Sequence, residues 1–339
     1  NGLGADLQED LFNSVSNPLA GVFVGVLGTV LVQSSSVSTS TIVGLVATGV
    51  IGVDDAVPMV MGANIGTTVT NTLASLGHVR QGREFERAFA AATVHDFFNV
   101  ICVAVLLPIE LLTGFLSSTA EWISEQLLGS SGAEYDSPIK QWVKHPVGWA
   151  SDAYDGLGAS GNLLGVLLIL TGLVCIFLAL GFITKNMRAL IADRLERTLN
   201  AVLSRGGGLV AMIVGLLVTV AVQSSSITTS ILVPLAGAGV LSLQNAYPVT
   251  LGANVGTTIT ALLASLATGK PDSLTVALAH TLFNVFGILL LYPVPALRNI
   301  PITLAQRLAA VAVRRRSIVV AYIVGVFLVV PLLGVAILR

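Results

Sequence analysis

The chain has 339 residues, of which 54% are hydrophobic and 10% are Asp, Glu, Lys or Arg, with a formal net charge of -1. An ordinary soluble domain carries roughly 25% charged residues, so water is not the main solvent of this chain, and with the net charge near zero and its charges sorted locally a nucleic-acid partner is not expected. Cys102 and Cys175 both fall in apolar stretches and read as small buried hydrophobes rather than as a disulfide or a metal pair. No basic n-region followed by a short apolar core opens the chain, so no signal peptide is expected.

In chain order, the first uncharged stretch covers 18–50 and carries Gln33-Ser34-Ser35-Ser36 at its centre. The second, 56–76, holds Gly62-Ala63-Asn64-Ile65-Gly66-Thr67-Thr68. Arg80, Arg83 and Arg87 follow, against Glu84 and Glu86, and then a span at 88–116 that contains Asp96. Residues 117–160 set Glu121, Glu125, Glu134, Asp136, Asp152 and Asp155 against Lys140 and Lys144, which predicts an external loop before a further span at 162–183. Lys185, Arg188, Arg194, Arg197 and Arg205 then outnumber Asp193 and Glu196. Two more uncharged stretches follow at 206–241 and 246–266, then spans at 273–297 and 317–338, between which lie Arg298, Arg307 and Arg314 to Arg316 without an acid. These runs reach the roughly 20 residues a helix needs to cross a bilayer. The positive-inside rule places the three basic segments in the cytoplasm and 117–160 and 267–272 outside.

The segments recur. VQSSSVSTSTIV from Val32 to Val43 returns as VQSSSITTSILV from Val222 to Val233, an offset of 190 residues. GANIGTTVTNTLASL from Gly62 returns as GANVGTTITALLASL from Gly252, with eleven of fifteen positions identical. His95-Asp96-Phe97-Phe98-Asn99 is echoed by His280-Thr281-Leu282-Phe283-Asn284 at an offset of 185. The chain therefore divides into two copies, 1–183 and 184–339. Between cytoplasmic Arg205 and external Lys270 the number of crossings is odd, yet two uncharged stretches intervene, so one of them turns back. The expected fold is an all-α integral membrane protein with inverted-topology repeats. Each repeat has a re-entrant helical hairpin (18–50, 206–241) and a transmembrane helix broken at its glycines (56–76, 246–266), with the substrate site between them at the midplane.

Backbone that leaves helical form at membrane depth must line a cavity or be buried in protein. A hairpin tip of Gln33, Ser34, Ser35 and Ser36, with its counterpart Gln223, Ser224, Ser225 and Ser226, supplies hydroxyl and amide donors. A helix starting there adds free N–H groups and a positive dipole end, which together suit an anion. The alternative is that small serines allow close helix contact. Asn64, Thr67 and Thr68, with Asn254, Thr257 and Thr258, are neutral oxygen donors suited to sodium once the adjacent glycines free the backbone carbonyls. The alternative there is a glycine kink with threonines bonded back to their own helix. Asp96 is an ionisable group inside a span, costly and by default functional, and Thr281 stands in its place in the second copy. Its other reading is half of a structural salt bridge. His95 and His280 read as hydrogen-bonded interhelical residues, and Arg314 to Arg316 as an orientation anchor. No Lys or Arg lies inside any of the spans as read, so a bound anion would be neutralised by bound cations.

With its paired QSSS tips, paired GAN-x-GTT clusters and His-Asp-x-x-Asn stretch, the chain resembles the type II sodium/phosphate cotransporters over roughly 11–110 and 200–300. The resemblance implies sodium-driven uptake of inorganic phosphate across the cell membrane by a multi-pass carrier, with the anion held between the tips. An Asp at the position of Asp96 implies electrogenic transport through an additional sodium. Family cation-site residues fall on Gln33, Thr72, Asn99 and a serine of the second tip. With their counterparts, the expected sodium donors are Ser38, Asn64, Thr67, Thr68, Thr72, Asp96, Asn99, Thr228, Asn254, Thr257, Thr258 and Asn284. His78 and Gln81 stand where animal members carry Gln and Asp. The loop between repeats lacks the animal cysteine pair and glycosylation sites, which points to a bacterial member, and a span that precedes the first hairpin in the family is expected to be missing or trimmed before Asn1.

The resemblance thus implies sodium as the coupling ion and phosphate, sodium and the bilayer as partners, and no organic cofactor is expected. The other readings are a sodium- or proton-coupled carrier of another oxyanion such as sulfate or arsenate, and a channel or sensor that binds phosphate. An enzyme is not expected, because Gln-Ser-Ser-Ser is not a Gly-x-Ser-x-Gly elbow.

Overall fold

The computed structural model describes residues 17–128, most of 138–178, and 207–338, and all the regular structure among them is helical. Asn17 opens the first helix, α1 (Pro18–Val32), its side chain accepting from the Leu19 N–H at 3.0 Å with Pro18 in the first turn. The helix ends where Gln33 turns left-handed at φ 54°, and Ser34, fully extended, caps α2 (Ser35–Ala47) by accepting from the Val37 N–H at 3.3 Å. The same construction returns in the second copy. There α8 (Gly208–Val222) ends at left-handed Gln223, φ 56°, and Ser224 caps α9 (Ser225–Gly237). Gln33 and Gln223 are the only described non-glycine residues with positive φ. Both units fall within the stretches 18–50 and 206–241 read from the sequence, and both pairs of arms are 15 and 13 residues long.

After the first unit come α3 (Val53–Gly66), α4 (Val69–Ser75) and a short 3₁₀ turn at Leu76–His78. The 32-residue helix α5 (Gly82–Thr113) follows. After the second unit come α10 (Leu243–Thr268), α11 (Pro271–Leu291), α12 (Pro295–Arg314) and a last helix. The last helix runs as α13 (Ser317–Val324), a π turn (Gly325–Val329) and α14 (Val330–Leu338). Gly82–Thr113, Leu243–Thr268, Pro271–Leu291 and Ser317–Leu338 are long and apolar enough to cross a membrane. The helix α5 is the spine of the protein and lies against α4, α9, α10, α11 and α12. Its Phe85, Phe89 and Phe98 form one core with Tyr247, Phe283 and Ile302. Cys102 is buried in that core, whereas Cys175 is exposed, against the reading of both as buried hydrophobes.

Four expectations are corrected. The second copy has no broken span, since α10 is continuous from Leu243 to Thr268 through Gly252 and Gly256. In the first copy the interruption is a single turn at Thr67–Thr68, where the Thr68 N–H bonds the Ile65 carbonyl. The glycines serve another purpose: a Cβ on Gly62 or Gly252 would sit 2.0 Å from the Val22 carbonyl oxygen or 1.8 Å from that of Met212. They let α1 lie against α3, and α8 against α10, in near backbone contact. The stretch 273–297 is two helices rather than one span, because Tyr292-Pro293-Val294-Pro295 ends α11 and starts α12. The segment 117–160 is not simply a loop, since α6 (Phe115–Leu128) and α7 (Pro138–Gly156) occupy much of it. Of the expected span 162–183, an apolar helix covers Leu163–Gly172 and most of the rest lies outside the described residues, as does the basic segment 184–206.

Candidate sites where the two hairpin units meet

Ser34 and Ser224 spend their side chains on capping, which leaves the following residues at the start of each helix to act outward. The amides of the first helical turn have no intrahelical partner. Those turns come together: the Ser36 hydroxyl donates to the Gln223 backbone carbonyl at 3.3 Å, across 187 residues of sequence. Thr260, on α10, donates to Gln223 Oε1 at 2.8 Å and lies 3.4 Å from Ser36 Oγ. Ser35, Ser36 and Ser225 are buried, Ser226 is half-buried and Gln33 is exposed. Ser225 Oγ is buried with no hydrogen-bond partner. The two tips therefore touch through Ser36 and Gln223, beside the starts of α2 at Ser35 and α9 at Ser225.

Although their sequences nearly coincide, the two tips are fastened differently. In the second, Thr219 donates to Thr228 at 2.9 Å across the arms, Thr229 donates to Asn71 at 2.9 Å, and Thr260 holds Gln223. In the first, Thr29 and Thr70, the counterparts of Thr219 and Thr260, have buried hydroxyls without partners. Ser38, the counterpart of Thr228, bonds only the Ser34 carbonyl at 3.1 Å.

Asp96 lies inside α5, 1% exposed. Its Oδ2 accepts from the Tyr322 hydroxyl at 2.8 Å and from Thr72 at 3.4 Å, Thr68 stands alongside, and Oδ1 has no partner. No basic side chain forms an ion pair with it among the described residues, where the one such contact is His78 with Glu84. Thr281, in the equivalent place, bonds back to the Ala277 carbonyl at 3.1 Å.

The remaining expected donors form a belt of amides. Asn254 donates to Asn99 Oδ1 at 2.8 Å and meets His95 Nε2 at 3.0 Å through its own Oδ1. Asn99 donates to the Asn64 carbonyl at 2.6 Å, while Asn64 Oδ1 faces Asn284 at 3.3 Å and His280 at 3.4 Å. Each copy's histidine thus meets the asparagine of the other copy's GAN motif, and both histidines are hydrogen-bonded between helices as their positions suggested. Thr67, Thr257 and Thr258 bond back to their own helices, at 3.0, 3.2 and 2.8 Å.

Several participants were not read from sequence: Thr29, Asn71, Thr219 and Thr229, and with them Thr70, Thr260 and Tyr322. Thr70 and Thr260 stand in the duplicated GTT-x-T stretch, so the signal was present, three residues beyond a threonine that was singled out. Tyr322 lies outside both copies of the motifs and carried no local signal. Among the described residues no three His, Cys, Asp or Glu side chains come together, so the donors available to a cation here are hydroxyls, amides and one carboxylate.

Residues 1–121 and 175–306 match the family described as Na+/Pi-cotransporter. The chain is 35% identical to sodium-dependent phosphate transport protein 2A of Rattus norvegicus over 97% of its own length and 62% of the relative's. It is 36% identical to protein 2B of Bos taurus, over 97% and 60%, and 34% identical to protein 2B of Homo sapiens, over 94% and 58%. It therefore spans about three fifths of the length of these curated relatives. No solved structure matches it. A duplicated tip sequence, four helices apolar enough to cross a membrane and a match over both copies lead to one conclusion, that this membrane protein belongs to the Na+/Pi-cotransporter family.

Proposed function

We propose that the chain is a multi-pass cell-membrane carrier that imports inorganic phosphate with sodium by alternating access, moving net positive charge. The observation that carries this reading is the contact of the two Gln-Ser-Ser-Ser turns, Ser36 to Gln223. It brings the turns that open α2 and α9 against each other, and serine hydroxyls with helix-start amides are the donor chemistry that suits a phosphate oxyanion. Arms of about 22 and 20 Å, at 1.5 Å per residue, are shorter than the roughly 30 Å hydrocarbon core, which supports re-entrant hairpins entering from opposite faces. The charge sorting of the connecting segments supports inverted repeats.

Alternating access needs the two halves to exchange roles, and the tips already differ in how firmly they are held. A state in which Thr29 and Thr70 gain the partners that Thr219 and Thr260 now have is its mirror image. Among the described residues no hydrogen bond joins a lysine or arginine side chain to a tip residue, which supports a phosphate entry that waits on sodium. The sodium donors are Asp96 with Thr68 and Thr72, then Ser38, Thr67, Thr228, Thr257 and Thr258 beside the tips. Asn64, Asn99, Asn254 and Asn284 are engaged with one another and the histidines, so a cation reaching them replaces a hydrogen bond and loosens the belt between copies.

The test is uptake of labelled phosphate into proteoliposomes. Accumulation above the external concentration is expected under an inward sodium gradient and not under an equal potassium gradient; equilibration without accumulation would identify a channel, and binding alone a sensor. Excess sulfate and arsenate added in competition decide between phosphate and another oxyanion as the substrate. Asp96→Gly is expected to retain phosphate uptake while lowering the charge moved per phosphate by about one, which parallel current and flux measurements read directly. An unchanged ratio removes Asp96 from the cation path.

A further inference from the structure

We propose that Tyr322 is a positioning residue that fixes the Asp96 carboxylate so that one oxygen is held and the other presented to a cation; this rests on the reading of Asp96 as a sodium ligand. The asymmetry of the carboxylate is the primary observation. Oδ2 takes the Tyr322 hydroxyl at 2.8 Å and Thr72 at 3.4 Å, whereas Oδ1, equally buried, takes nothing. A buried acceptor left unpaired costs about 1–3 kcal/mol, and a carboxylate serving only as a structural acceptor avoids that cost. Glu110, on the same helix and 8% exposed, does so: its Oε2 accepts from the Leu116 N–H at 2.6 Å and its Oε1 from the Ser117 N–H at 3.2 Å. Asp96 is held by half.

Tyr322 is itself held. Its ring meets Phe89 edge-on at 6.2 Å, Phe97 at 6.4 Å and Phe327 edge-on at 6.2 Å between centroids. Phe327 is five residues further along, on the far side of an ordinary α-helix, yet here it is fully buried beside Tyr322. Phe327 sits within the π turn at Gly325–Val329, which changes the rotation of the chain after Tyr322 from that of an ordinary α-helix. A deformation frequent at functional sites thus carries one wall of the aromatic clamp around Tyr322, whose hydroxyl reaches Asp96. The last helix is otherwise the least buried of the four long apolar helices, and Val319, Phe327 and Pro331 are its only buried residues among those described.

The experiment uses the purified full chain. Sodium-dependent thermal stabilisation reports binding, and phosphate uptake in proteoliposomes reports transport. Tyr322→Phe keeps the ring contacts and is expected to raise the sodium concentration for half-maximal stabilisation and half-maximal uptake at least fivefold. Phosphate half-saturation at saturating sodium stays within twofold. In an Asp96→Gly background the same substitution is expected to change neither. Phe327→Leu, which keeps the hydroxyl but loosens the clamp, is expected to shift sodium dependence in the same direction by less, and it stands in if Tyr322→Phe does not purify. Unchanged sodium dependence in these variants, or an equal shift in the Asp96→Gly background, overturns the proposal. If Asp96→Gly alone leaves sodium binding untouched, the reading of Asp96 fails instead. If sodium binds but phosphate does not move, the transport reading fails while the binding arm still decides the role of Tyr322.

Discussion

Ser225→Ala is expected to cut sodium-driven phosphate uptake at least tenfold while leaving thermal stability unchanged or slightly raised. The two signs come from one atom. Ser225 Oγ is buried at the tip contact without a partner, and an unsatisfied buried hydroxyl opposes folding, so its removal relieves the protein. A serine kept only for its small size loses little on becoming alanine, which is also small and a better helix former. A serine whose hydroxyl waits for an anion loses a hydrogen bond to a charged group, worth about 1.5–3 kcal/mol, and about 1.4 kcal/mol is a factor of ten. Ser35→Ala, at the matching place in the first tip, is expected to act in the same direction. Ser224→Ala is the contrast, since that side chain caps α9 by accepting from Ile227 at 3.4 Å and its loss costs about 1 kcal/mol of stability. Melting curves and initial uptake rates of the three variants separate the roles, and Ser225→Ala with normal uptake would remove the serine from the anion site.

Much of this arrangement was legible in the sequence because it rests on local chemistry. An uncharged stretch with Gln-Ser-Ser-Ser at its centre reads as two limbs and a polar tip, and in each copy the left-handed Gln and the capping Ser, a preferred N-cap, lie at that tip. The duplication was legible because identical residues need no structural argument. Glycine was misread: in Gly-Ala-Asn-x-Gly it can mark either unwinding or close approach, and sequence alone does not separate these. The boundary between α11 and α12 was signalled by Tyr-Pro-Val-Pro, but the apolar run passes straight through it and outweighed two prolines.

What could not be read depends on partners distant in the chain. Tyr322 meets Asp96 across 226 residues and His95 meets Asn254 across 159. The crossed pairing of His95 with Asn254 and His280 with Asn64 follows from the duplication only once the copies are known to face each other. The four asparagines were read as open oxygen donors, and the neighbours that already occupy their amides are supplied by the opposite copy. Local pattern gives the donor types, and only the assembly gives their state of use.

Gly252→Ala is expected to be the most destabilising single methyl group that can be added where α10 packs on α8, the first arm of the second hairpin unit. Its Cβ would lie 1.8 Å from the Met212 carbonyl oxygen and 2.6 Å from the carbonyl carbon, both backbone atoms of α8 that no side-chain rotation can clear. The reciprocal contact is as tight, Gly215 against the Val249 carbonyl at 2.1 Å, and the first copy repeats both, with Gly62 against Val22 at 2.0 Å and Gly25 against Met59 at 1.9 Å. Membrane helices associate largely through close contact of this kind, so the added methyl must push α8 away from α10 along its length. Overpacking typically costs about 1–3 kcal/mol, occasionally more, and with backbone on both sides the upper end applies. At about 2–4 °C per kcal/mol, the apparent Tm in detergent at a fixed scan rate falls by roughly 6–12 °C. Because α8 carries Gln223, the displaced arm also draws the tip from Ser36 and Thr260, and uptake falls with stability. Gly28→Ala and Gly44→Ala, with nothing within 4 Å of the added carbon, are the controls; alanine favours a helix over glycine by about 1 kcal/mol, so they hold or raise Tm. A Gly252→Ala protein that melts with the unmodified chain would mean that α8 and α10 do not touch through their backbones.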